Sequence, residues 1–509
     1  MPDTMIARCM HWRLRQVLVL CALLLLVGCT TAQQTSDDIA TLSCIEKLQL
    51  SDIQVIGSDV RNASVAKVEE YPFLRANRNS VLMGQQVGAA LDQDDEVLAS
   101  ELFADWVTQM RVLDRTARAS EMRNLSVKPV VTVSEQEACA NSLAGALETE
   151  GFAQLSDAVF VPDDYLDFQR VSGLYPLTAF PAYFGYEAWK RDNLQTFTLS
   201  EDDLQASGDW LIYAPSGAGA KSGNIKAVNI SQDKFGRLLP MASELEALAQ
   251  KYAPRLRIDT RSDSDLIGLP TLQSRHARSE VDLSTPVMFY RLSHTYFGGK
   301  WLPQLVYSVW FPERPKVGFL DILAGHLDAL IWRVTLNRDG APIMADSIHG
   351  CGCYHMFFPT SGVHRLHAPE DDDIRETAET PAGFLEAETL AQPVLWIDDT
   401  SHYLLAVTQA DTQADTQGER SSAIPVVLQP EESLTSLPLA DGTGYASLYD
   451  NDGFIPGTDR LERFILWPMG IERPGAMRQW GHHATAFVGR RHFDDPLMLG
   501  RYFGFPAPD

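Results

Sequence analysis

Apolar and polar positions alternate with different periods along the chain. Between residues 87 and 120, Leu91, Leu98, Leu102, Trp106, Met110 and Leu113 recur at helical spacing with charges between them, which predicts one long helix. Ser134-Glu135-Gln136-Glu137 has the form of a capping box, and a second helix is expected from it to Gly151. From 158 to 235 aromatic residues are dense and broken by proline and glycine. The run Ala179 to Tyr186 reads as core plus loop, with a ligand groove as its functional alternative. Apolar segments at 209–214 and 224–230 flank a Gly/Ser-rich stretch and predict a hairpin. Ser243-Glu244-Leu245-Glu246 opens a helix that Pro254 stops. Beyond 281 the period shortens to that of strands, at 287–292, 304–311, 329–336, 343–347 and 393–407. Gly298-Gly299, Pro312 with Pro315, and Asp339-Gly340 punctuate them, the last being a strong hairpin signal.

The expected fold class is therefore α+β. A helical and aromatic-rich part over 44–255 packs with a mainly antiparallel β region over 256–509. Acidic residues at 368–392, and a span at 408–437 that begins with a Thr-Gln-Ala-Asp repeat, read as surface insertions in the second part. A length of 509 residues with 45% hydrophobic composition supports a large buried core.

Residues 1–28 stand outside this pattern. Arg8, Arg13 and Arg15 precede an apolar run from Val17 to Val27, which is too short to span a bilayer comfortably. Leu26-Val27-Gly28-Cys29 follows, and the whole has the form of a secretory signal peptide. Those last four residues resemble the lipobox of bacterial lipoproteins. The resemblance covers only the export signal. It implies cleavage before Cys29, lipidation of that cysteine, and a polar tether over 29–43. Thr30 is not the aspartate that favours retention in the inner membrane, so the resemblance implies an outer-membrane anchor facing the periplasm. Removing three arginines and Asp3 with the signal takes the formal charge from −25 to −27, which argues against a nucleic-acid partner.

Cleavage would leave Cys44, Cys139, Cys351 and Cys353 besides the lipidated residue, in an oxidising compartment. A Cys44–Cys139 disulfide is the simplest pairing. The other two lie in His349-Gly350-Cys351-Gly352-Cys353-Tyr354-His355. On an extended strand His349, Cys351, Cys353 and His355 would share one face. Same-face neighbours there are about 6.6–6.8 Å apart along the strand, so two or three of the four would bind zinc and a further ligand would come from elsewhere. His326, two residues before Asp328, is one candidate. A Cys351–Cys353 disulfide and two free buried thiols are the competing readings.

A second cluster comprises Arg478, His482, His483, Arg490, Arg491 and His492. It suits either an anionic ligand or salt bridges to the chain's many acids. The sequence carries no Gly-x-Ser-x-Gly, His-Glu-x-x-His, P-loop or dinucleotide fingerprint. Two functions remain open. One is a metal-dependent hydrolase with zinc on Cys351, Cys353 and His355. The other is a non-catalytic envelope lipoprotein with a structural metal or disulfide.

Overall fold

A computed structural model describes residues 39–216, 230–319, 321–367, 376–410 and 423–506. The signal segment, Cys29 and most of the tether lie outside these residues. Among the described residues no helix is long and apolar enough to cross a membrane.

The N-terminal part is a helical layer formed by α1 (Cys44–Gly57), α2 (Arg78–Asp92), α3 (Glu96–Asn124) and α4 (Val133–Gly145). The single helix expected from 87 to 120 is two. Asp94 adopts φ +56° and turns the chain, and Asp95 restarts it by accepting from the Leu98 N–H at 3.1 Å. The box that opens α4 begins at Thr132, whose side chain is reciprocally bonded with Glu135, two residues before the expected Ser134. That helix stops at Gly145, and a short one resumes over Phe152–Ala158. Cys44 and Cys139 are disulfide-bonded and tie α1 to α4. Met83, Phe103, Trp106 and Met110 form this layer's core, and Trp301 from the sheet enters it.

The sheet has ten strands. We number them β1 (Trp210–Pro215), β2 (Arg255–Asp259), β3 (Val287–Phe297), β4 (Lys300–Arg314), β5 (Gly325–Leu336), β6 (Pro342–His349), β7 (Met356–Pro359), β8 (Pro393–Ile397), β9 (Leu404–Gln409) and β10 (Ile424–Pro430). Their spatial order is β7-β6-β5-β4-β3-β10-β1-β2-β8-β9. Strands β3 to β7 are an antiparallel meander, as the alternating pattern requires. Gly298 and Gly299, both at positive φ, make the β3–β4 turn, and Gly340 at φ +84° makes the one between β5 and β6. β10 runs parallel to both its neighbours, so the α+β fold is built on a mixed sheet.

Two further expectations change. β1 pairs with β2 and β10; the proposed hairpin partner at 224–230 lies almost entirely outside the described residues. The aromatic run at 179–186 is helical, within α5 (Tyr175–Asn193), with Pro181 inside it. In the acidic span 368–392, Ala378 and Leu390 are buried.

Breaking the disulfide removes a cross-link between residues 95 apart in sequence. The Cys44→Ala/Cys139→Ala variant should lose about 2–4 kcal/mol of stability. A urea-unfolding midpoint equal to the parent's would show that the bond contributes nothing.

Candidate functional site

The His/Cys stretch lies at the end of a strand and turns away from it, so the extended geometry with four ligands on one face does not form. His349 is the last residue of β6. Its N–H donates to the Cys353 carbonyl at 3.0 Å, and the Gly352 N–H donates back to the His349 carbonyl at 2.8 Å. Gly352 (φ +92°) and Tyr354 (φ +61°) reverse the chain, which returns as β7 at Met356. The stretch is thus a tight turn, and its four candidate ligands do not share a face. Asp346 and His349 are three apart on one strand and point to opposite sides of the sheet. His355 folds back to Asp346, with Nε2 2.9 Å from Oδ2. His349 turns to Asp328, with Nδ1 3.6 Å from Oδ1.

Each side therefore holds a buried charged group of its own. On one, Arg333 and Asp346 stand opposite each other in register on β5 and β6 and are joined by two bonds of 2.9 and 2.6 Å. The Arg333 guanidinium lies 3.7 Å from the centre of the Phe493 ring. Burial holds the His355 imidazole down at about 4 against the pull of Asp346, so it is neutral near pH 7.

On the other side, Asp328 is fully buried at the start of β5. His402 Nδ1 lies 2.9 Å from it and Arg460 donates to it at 3.0 Å. Burial works to raise the Asp328 carboxyl, but Arg460 and the two histidines hold it well below its usual range. His402 lies between Asp328 and Asp265, its Nε2 3.6 Å from the latter. Burial opposes its charge, and the two carboxylates still raise its pKa. It stacks on Phe311 at 3.8 Å between ring centres. Burial lowers the neighbouring His349 despite Asp328. Leu327, Tyr354, Thr400 and His402, all at positive φ, surround this group. Tyr354 and Tyr403 share a 2.8 Å hydroxyl bond, and Trp189 of α5 packs against the Tyr354 ring at 4.8 Å.

Cys351 and Cys353 are both free thiols and both buried. They open into a void of about 10 Å³ walled by Ile471, Ala484 and Phe487. His326 is not at this turn: its Nε2 lies 3.2 Å from Ser279 Oγ. Among the described residues no three His, Cys, Asp or Glu side chains form a group that could hold a metal ion.

The second cluster is engaged by protein partners except at His483, whose two ring nitrogens are buried without a hydrogen-bond partner. Arg490 pairs with Asp163 at 2.7 Å and with Asp167. His482 Nδ1 lies 2.9 Å from Asp164, and His492 lies 3.2 and 3.4 Å from Asp163 and Asp164. Arg491 donates to the Tyr502 hydroxyl and the Glu376 carbonyl. Arg478 donates only to backbone carbonyls. His483 is buried and pushed down to about 3 by burial and by Arg478. A cavity of about 520 Å³ lies beside this cluster, lined in part by Gln109, Arg237, Arg291, His294, Gln479 and Trp480. Gln479 Oε1 and Arg291 Nε are buried without a partner.

Sequence reasoning missed Asp265, Arg333, Asp346, His402 and Arg460 as site residues and met Asp328 only as the acid two residues after His326. Their signal was present for three: Asp328, Arg333 and Asp346 are lone charges inside otherwise apolar strands, where an unpaired charge is costly. No protein-family model, curated protein or solved structure matches this chain.

Glu376 links this region to pH. It accepts from the Phe487 and Val488 N–H groups, and burial, outweighing Arg491, raises it from 4.5 to about 7. A carboxyl raised on folding stabilises below its unfolded pKa and loses that contribution as pH rises through the folded one. Stability should therefore fall between about pH 4.5 and 7, by up to about 3 kcal/mol from this group. Glu376→Gln should raise Tm at pH 8 relative to the parent and leave it little changed at pH 4.5. Equal pH–Tm profiles for the two proteins would refute the assignment.

Proposed function

We propose that this chain is a non-catalytic, lipid-anchored binding protein of the bacterial envelope that faces the periplasm, and that its His/Cys turn is a closed structural joint. One observation carries the reading: the void at the turn is about 10 Å³, too small for a substrate, while a cavity of about 520 Å³ lies elsewhere. That cavity is lined by the polar side chains of Gln109, Arg237, Arg291 and Gln479, which suit a polar ligand. The lipobox-like Leu26–Cys29 supports attachment to the membrane, and the charge of −25 supports a partner other than nucleic acid.

A second reading, a metal-dependent hydrolase, draws support from the four non-glycine residues at positive φ around Asp328, because such strain gathers at active sites. Zinc on Cys351, Cys353 and His355 would require the three to come together, since they form no such group among the described residues, and substrate access would require the turn to open.

Asp328→Asn separates the two. In a structural joint it strands the Arg460 guanidinium, which is 2% exposed, and should cost about 3–5 kcal/mol with a fall in Tm of several degrees. A Tm that is unchanged or raised would instead mark Asp328 as a group held in tension for catalysis. The anchor has its own test. Cys29→Ser should move the protein from the membrane pellet to the soluble envelope fraction. Retention of the variant in the pellet would sink the lipid assignment.

A further inference from the structure

Arg478 is 2% exposed, and its guanidinium has no carboxylate partner among the described residues. Its Nε donates to the Cys351 carbonyl at 3.0 Å, Nη1 to the His482 carbonyl at 3.1 Å, and Nη2 to the Arg473 carbonyl at 3.2 Å and to the Glu472 carbonyl. Its face lies 5.0 Å from the centre of the Phe454 ring. Carbonyls satisfy the N–H groups but leave the positive charge uncompensated, and a buried cation in that state is expensive. Asp164 acts on it from a distance, but that carboxylate is already bound by Arg78 and His482. The other groups whose charge reaches Arg478 include the two cysteine sulfurs and, without a hydrogen bond to it, the Glu472 and Glu462 carboxyls. A negative charge on the cysteine pair would complete the site.

We infer that Cys351 and Cys353 form a site for one soft monovalent cation of the copper(I) class, held as a two-thiolate complex with Arg478 as its counter-charge. Two thiols release two protons and form two bonds to the cation, so the complex carries one net negative charge, which Arg478 balances. Thiolates select copper(I) among the envelope's available ions. Four features of the structure suit two-coordination. Both thiols line the same small void. That void, about 10 Å³, leaves room for a bare ion and not for a hydrated one. Its other lining is glycine and apolar side chains, among them Ile471, Pro474, Ala484 and Phe487, with Thr485 the only polar side chain, and the buried thioether of Met477 belongs to the same apolar cluster as the thiols. No third His, Cys, Asp or Glu ligand is grouped with the pair among the described residues, which disfavours a divalent ion that needs four.

Gly352 fixes this geometry. A Cβ there would stand 2.5 Å from the Ala484 carbonyl oxygen, at a φ of +92°. Any side chain would push the turn off its wall and part the sulfurs.

The inference goes beyond the binding reading and takes from it only the envelope location; the thiol chemistry itself is tested independently of Asp328→Asn. The test uses the full-length protein in detergent, reduced, with copper(I) supplied as its acetonitrile complex against a chromogenic chelator. The parent should take up one equivalent at least 100-fold more tightly than the Cys351→Ser/Cys353→Ser variant. X-ray absorption should report sulfur-only coordination at copper. Arg478→Met should weaken uptake at least 10-fold, and Arg478→Lys should restore part of it. Because either cysteine change risks the fold, the parent alone also decides. Copper(I) should shield both thiols from alkylation in the native protein, and zinc(II) should not. Uptake equal to that of the cysteine-free variant, shielding by zinc(II) alone, or a Cys351–Cys353 disulfide that resists reduction in the native protein would each overturn the proposal.

Discussion

A charge withdrawn from water must meet its opposite, and in this protein that condition joins segments that are remote in sequence. Asp328 is fully buried in β5 between Leu327 and Ala329, opposite Phe311 of β4. It is tolerable there only because Arg460 and His402 arrive from distant segments to meet it, and His402 in turn reaches toward Asp265. On the opposite side of the sheet, Arg333 and Asp346 satisfy one another directly across the β5–β6 ladder. Arg78 closes a further connection, holding Asp164 and Asp494 at once and fastening the helical layer to the C-terminal segment. The sheet supplies the scaffold. These pairs determine which loops close onto it.

The histidines at the turn keep ring nitrogens free but face no open site. An imidazole that serves a metal or a substrate needs a free ring nitrogen facing an open site. His355 Nε2 meets Asp346 and His402 Nδ1 meets Asp328, while His355 Nδ1, His402 Nε2 and both ring nitrogens of His349 are buried without a hydrogen-bond partner. The arginines of the C-terminal cluster are committed likewise, to Asp163 and Asp167 or to backbone carbonyls. The acidity of the chain, which argued against a nucleic-acid partner, also supplies these internal pairs.

The meander was legible in the sequence because strands β3 to β6 are long and apolar and Gly-Gly and Asp-Gly turns separate them. The Cys44–Cys139 pairing was legible by counting, and the disulfide is present. The break between α2 and α3 was not, because the apolar period runs through it and a single left-handed aspartate makes the turn. The candidate site was legible only in part. The thiols were found as a pair, but their charged surroundings come from residues 130 or so positions away, and no local period announces such contacts. The available signal was a lone charge in an apolar strand, which asks for a partner without saying where it comes from.

The period of two in Gly350-Cys351-Gly352-Cys353 has a different origin from the one it suggests. In a strand it would record alternation between two faces. In this turn it records two walls. A Cβ on Gly350 would stand 2.8 Å from Ala329 Cβ, and a Cβ on Gly352 would stand 2.5 Å from the Ala484 carbonyl oxygen. Both glycines are where they are because the backbone is pressed against β5 on one side and the C-terminal segment on the other. The residues between and after them are left as the only side chains able to fill the void, and in this chain both carry sulfur. The cysteines are thus adjacent in space because the turn is tight, and shielded because its walls are close. Binding chemistry at the pair depends first on backbone packing and only then on the sulfurs.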